Sequence, residues 1–244
     1  MWRNSIRRTA ILASALGAVS LPFVALGGTA GAATAHAQPS HTFGADSASI
    51  TNPYLPITKF NRCRLAGRDQ GQQLRVVRTL QDRTKRFPYR GRMVKTAVVR
   101  DRVTDLQAGE LIERTIDYFA QDRAGNVYYF DEDVNEYRHG HVVSHEGQWR
   151  VGRDVKRPGV LMPAHPKVGD TFHAENVPGV AVEKDRIVAR GLTRRAGGHT
   201  YRHLIKVREH ATTPKPAEVE HKTYAPGTGV ITEANGGLRL RSCS

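Results

Sequence analysis

Met93-Val94-Lys95-Thr96-Ala97-Val98-Val99-Arg100-Asp101-Arg102-Val103-Thr104 is the stretch that decides the fold. It alternates as far as Val98, and beyond that Val99, Asp101 and Val103 fall on one face against Arg100 and Arg102 on the other. A period of two puts successive side chains on opposite sides of an extended chain, so this is a strand with one face turned to a core. Similar runs occupy residues 110–120, 126–130, 141–145, 181–189, 200–210, 219–224 and 229–233. Turn chemistry separates them: Gln107-Ala108-Gly109, Asp122-Arg123-Ala124-Gly125-Asn126, His139-Gly140, Ala196-Gly197-Gly198 and Pro226-Gly227-Thr228-Gly229. Many strands at short, regular spacing predict a mostly β protein, an antiparallel meander forming a half-barrel, barrel or sandwich with little helix.

The 244 residues are 39% hydrophobic and 25% charged, enough apolar material for one folded domain. Ahead of it, residues 1–37 carry Arg3, Arg7 and Arg8, an apolar stretch broken by Pro22, and small residues ending in Ala35-His36-Ala37. These are the three parts of a secretory signal peptide, with Sec and twin-arginine routes both open. Residues 38–50 contain few bulky side chains and predict a flexible linker, which leaves 51–244 as a single β domain. Once the signal is removed no segment is apolar enough to span a bilayer, so the expected location is secreted or extracytoplasmic. In an oxidising space Cys63 and Cys243, near the two ends of the domain, are expected to form a disulfide.

Several stretches in the middle of the chain are distinctive in combination: Gly125-Asn126-Val127-Tyr128-Tyr129-Phe130, Met162-Pro163-Ala164-His165-Pro166 and Val168-Gly169-Asp170. With Asn52-Pro53-Tyr54-Leu55-Pro56 before them and Tyr224-Ala225-Pro226-Gly227 after, the chain resembles an uncharacterised family of secreted bacterial β-sheet proteins. The resemblance covers about residues 52–230. It implies a mostly antiparallel sheet domain related to curved-sheet periplasmic carriers, and no known activity. The chain departs from that pattern at Asp131, where glycine is expected, and in the arginine-rich residues 70–92.

The formal charge is +14, and segment 62–102, which opens on Arg62 and closes on Arg102, holds thirteen Lys or Arg against three Asp. Such a patch suits an anionic polymer, and Arg83, Lys85, Arg86, Arg90 and Arg92 are its candidate contacts. A second candidate is aromatic: Tyr118, Tyr128 and Trp149 on one concave face would line a groove for a lipid-like ligand.

Support for catalysis is weaker. Asp131, Glu132, Asp133 and Glu136 lie close together without the spacing of a calcium loop, and His139, His141 and His145 are interrupted by a glycine turn. Asp117, Asp122 and Glu113 could pair as acid and base across strands, yet no nucleophile elbow or phosphate-cradling loop is present. The sequence therefore predicts no catalytic residue, no metal and no cofactor. The expected protein is a monomeric, non-enzymatic binding or cell-envelope interaction protein taking an apolar or anionic ligand. Its alternatives are a secreted enzyme using the acidic and histidine groups, or a polyanion binder acting through segment 62–102.

Overall fold

A computed structural model describes residues 42–213 and 217–244. The predicted signal peptide lies outside the described residues. Among those described the chain forms fourteen strands: β1 (Arg62–Asp69), β2 (Gln72–Tyr89), β3 (Arg92–Asp105), β4 (Glu110–Gln121), β5 (Val127–Arg138), β6 (His141–Ser144), β7 (Trp149–Arg150), β8 (Gly159–Met162), β9 (Thr171–Val177), β10 (Ala181–Ala196), β11 (His199–Thr213), β12 (Glu218–Ala225), β13 (Gly229–Glu233) and β14 (Leu238–Cys243). Two short 3-10 turns, Ile57–Lys59 and Ala234–Gly236, are the helical elements among them. No helix among the described residues is long and apolar enough to cross a membrane.

All strands belong to one antiparallel sheet in the order β6-β5-β4-β3-β2-β1-β14-β13-β12-β11-β10-β9, with β7 and β8 pairing β5 at its side. Two meanders, one from each half of the chain, are thus joined where the first strand pairs the last. Cys63 stands directly opposite Cys243 at that seam, and the two are disulfide-bonded. The expected mostly β, half-barrel architecture is what forms, and the sheet does not close into a barrel. Its edges nevertheless meet. Gly159 of β8 lies so close to the Ala174 carbonyl of β9 that a Cβ there would clash with backbone, and Trp149 Nε1 on β7 donates to Glu175 Oε1 on β9 at 2.7 Å.

The inner face of this curled sheet is packed with Leu65, Val76, Val103, Ile187, Val207 and Tyr224. Part of the outer face has its own cover. Phe43 sets its ring edge-on against Tyr128, Phe130 and Tyr89 at centroid distances of 5.3, 5.4 and 6.0 Å, and Ile50 is fully buried. The folded part therefore reaches upstream of residue 51, into the segment read from sequence as linker. Phe43, partly buried, and Ile50, fully buried, are bulky side chains in an otherwise small and polar stretch, and their packing against the core anchors it.

Candidate functional site

Because partners directly opposite each other across a sheet share a face, the strand registers show where each charged side chain points. Inward, Asp101 of β3 lies opposite Arg78 of β2, and Asp117 of β4 lies opposite Glu132 of β5. On the other half Glu175 opposes Glu183, while Asp185, Glu209 and Glu220 form one row over β10, β11 and β12. Two cations answer them. Arg78 forks onto Asp101 at 2.7 to 3.2 Å and reaches Glu233 at 3.5 Å, and Lys222 lies 3.0 Å from Glu209. Burial works against both charges but their acidic neighbours outweigh it, so both stay protonated at any ordinary pH.

Too few cations face these carboxyls for all to ionise. Desolvation, reinforced by Asp101, pushes Asp117 up to about 8 even though Tyr129 donates to it at 2.6 Å. Desolvation likewise lifts Glu175 to about 7, against the opposing hydrogen bond from Trp149. Glu132 is held well above the carboxylate range by burial and then by Glu175 and Asp117, Glu183 by burial and then by Asp185, and Asp185 by burial and then by Glu209. Neither Glu132 oxygen meets a donor, because what it faces is the Glu175 carboxyl, to which a protonated Glu132 donates. The interior is an acidic layer kept largely neutral by protons.

Outward the sign reverses. Arg114, Arg102, Val77 and Arg64 are successive partners across β4, β3, β2 and β1. A longer row, Thr104, Arg75, Ala66, Arg239, Thr232, Thr223 and Lys206, crosses from β3 to β11. Arg62, Arg64, Arg75, Arg102 and Arg239 are all exposed. Along these rows the sheet sorts charge by face.

The residues singled out from sequence distribute differently. Tyr118 opposes Asp131 whereas Trp149 opposes Glu132, and neighbouring residues on a strand point to opposite sides. Tyr118 and Tyr128 therefore pack on the outer side and Trp149 on the inner, and none is more than 3% exposed. The structure does not bring them together in one groove. Tyr118 donates to Asp133 at 3.2 Å, Tyr128 donates to Asp122 at 3.1 Å, and Trp149 rests edge-on against Tyr129. Of the basic set, Arg83, Arg86, Arg90 and Arg92 are exposed. Lys85 is turned aside: it lies over the rings of Phe87 and Tyr118 and bonds the buried Asp131 at 2.9 Å.

Asp131 is held between Lys85 and Arg150 Nε, the latter at 2.7 Å, with Asp133 alongside on Arg150. Glu132 faces the other way, so the acidic run 131–133 cannot converge on one ion. His139 and His141 lie exposed at the β5–β6 turn, His139 3.2 Å from Glu110, and His145 bonds the Val134 carbonyl at 2.8 Å. Asp122, also named from sequence, caps the turn before β5 through Asn126.

No protein-family model matches the chain, and no curated protein matches it. Two solved structures are similar. One is described as an exported protein with a YmcC-like fold from Bacteroides fragilis NCTC 9343, at 13% identity and a TM-score of 0.42, covering 79% of this chain and 99% of that one. The other is described as a lipoprotein from Parabacteroides distasonis ATCC 8503, at 11% identity and a TM-score of 0.38, with the same coverage. At these values neither carries a conclusion about this chain.

Proposed function

We propose that this chain is an exported, non-enzymatic binding protein of the cell envelope whose outer sheet face takes an anionic polymer. The observation that carries this reading is the sorting of charge along the rows from β4 to β14, in which basic side chains continue across five neighbouring strands on the outside while Asp101, Asp117 and Glu233 point inward. The outward Asp131 and Asp133 lie on β5, engaged by Lys85 and Arg150. Export is supported by the signal-like residues 1–37 and by the Cys63–Cys243 disulfide. The rival enzyme reading needs its acids within reach of a substrate, yet of those named for it Glu113, Asp117, Asp122, Asp131 and Glu132 are each no more than 8% exposed. The face is also wider than the basic segment read from sequence, since Arg239 and Lys206 extend it to the far half of the sheet.

The test is binding of long-chain polyphosphate by the mature chain across a salt series. Affinity should fall steeply as salt rises, because each neutralised anionic group releases a counterion. Replacing Arg62, Arg64 and Arg102 together by glutamine should flatten that slope and weaken binding by about tenfold or more. Binding that ignores salt, or that survives the triple replacement unchanged, would overturn the reading.

A further inference from the structure

The outer face also contains a built cleft. The β10–β11 hairpin pairs irregularly between Ile187 and Arg194, and His203 takes a positive φ of 59°, so the hairpin tip bends back over the sheet. Gly197 at the tip lies against the Arg241 carbonyl of β14, where its own φ of 53° and the lack of room for a Cβ both require glycine. Beneath the bend is a cavity of about 470 Å³. Arg194 and Arg195 line it from the hairpin, and Lys206, Thr223, Thr232 and Arg239 line it from the cross-strand row.

No carboxylate lines this cavity, and none of its four cations has an ion pair among the described residues. Two guanidinium groups are oriented by backbone carbonyls instead, Arg194 by Thr193 at 2.9 Å and Arg239 by Gly236 at 3.2 Å, which leaves further N–H groups free. Gathering four like charges around one space is unfavourable until an anion enters, and the arginine fork matches phosphate oxygens in pairs. At the floor the buried Thr223 and Thr232 hydroxyls bond each other at 2.7 Å, and His221 bonds Asn235 at 3.0 Å beside them. The volume falls in the range of sites for whole small molecules and exceeds what a bare oxyanion fills. Hydroxyl and amide groups beside the cations suit a polyol.

We propose that this cleft binds a phosphorylated saccharide unit, through Arg194, Arg195, Lys206 and Arg239 on the phosphate and the threonine pair on the sugar hydroxyls. The proposal rests on the reading of the outer face as anion-facing, and narrows it to one place and one chemical class. The experiment titrates the mature, disulfide-bonded chain calorimetrically with glucose 6-phosphate, inorganic phosphate and glucose. Glucose 6-phosphate should bind at least about tenfold more tightly than inorganic phosphate, and glucose should not register. Replacing Arg195 and Lys206 by glutamine should weaken glucose 6-phosphate by about tenfold or more, while the Arg62, Arg64 and Arg102 replacement should leave it within about twofold.

Equal affinity for inorganic phosphate and glucose 6-phosphate, or indifference to the Arg195 and Lys206 replacement, would overturn the proposal. Loss of polyphosphate binding in one variant and of glucose 6-phosphate binding in the other separates failure of the outer-face reading from failure of the cleft. Displacement of glucose 6-phosphate by a phosphorylated polysaccharide assigns the bound unit to a polymer, and lack of displacement assigns it to a free phosphoester; the cleft stands in both cases.

Discussion

Raising the pH from 6 to 9 should destabilise this fold by at least about 4 kcal/mol, the reverse of what salt-bridged carboxylates produce. The reasoning starts from two buried acids. Glu175 is moved from an ordinary 4.5 to about 7 by folding, and Asp117 from 3.8 to about 8, in each case first by desolvation. A carboxyl whose folded pKa is raised keeps its proton after the unfolded chain has lost it. Its favourable contribution is complete below the unfolded pKa and disappears as pH climbs through the folded one. Between pH 6 and 9, Glu175 titrates over about one pH unit and Asp117 over about two, at roughly 1.36 kcal/mol for each. Glu220, lifted to about 7 by desolvation, and Glu132, Glu183, Asp185 and Glu209 add in the same direction. The buried tyrosines, Arg78 and Lys222 are shifted upward from values already at 10 or above and stay silent in this window. Against a total stability of about 5 to 15 kcal/mol, 4 is easily measured. Urea unfolding at constant ionic strength, with an unchanged slope, is the assay. Glu175→Gln, which retains an acceptor for the Trp149 N–H, should remove about 1.4 kcal/mol of the alkaline loss, and Asp117→Asn about 2.7. A stability that is flat or rises between pH 6 and 9 would refute the protonated interior.

Two further outcomes are expected. Trp149→Ala should lower stability by about 3 to 5 kcal/mol, read from the denaturant midpoint, because Trp149 is 1% exposed and its loss also strips Glu175 of a donor; a loss below about 1 kcal/mol would place the indole at an accessible surface. Alkylation of the native chain without reductant should modify no thiol, and reducing the Cys63–Cys243 bond, which closes a separation of 180 residues, should lower stability by up to about 5 kcal/mol on the chain-entropy account; two labelled cysteines would contradict it.

Where alternation was clean the strand was legible, as over residues 205–211 of β11. The 18-residue β2 was not, because Arg78 points inward to Asp101 and so breaks the rule that equates charge with the outside. The order of strands was hidden too, since nothing in a period-two pattern says that β1 pairs β14; the two cysteines were the one local hint. The acidic interior was hidden as well, because a carboxylate on a strand is more often found at the surface than inside. Phase was the available signal. Asp185 is in step with Ile187, and Glu209 with Ile205 and Val207, so each of these acids sits on its strand's apolar side. In the same way the predicted aromatic groove failed on phase, since Tyr118 and Trp149 reach opposite faces through adjacent partners on β5.

The same phase argument explains how a sequence with mixed charge yields two layers of opposite sign. Arg100-Asp101-Arg102, Lys184-Asp185-Arg186 and Arg208-Glu209-His210 mix acid and base when read along the chain. A strand turns each middle residue inward and its flanks outward, which converts mixing along the sequence into separation across the sheet. Inside, desolvation favours the neutral acid; outside, arginine remains charged at any pH the protein meets. The formal charge of +14 counts every acid as ionised, so it understates the positive charge that a partner meets while the inner acids hold their protons. Attraction for a polyanion and stability of the fold should therefore weaken together as pH rises, since both depend on the same inner-face protons.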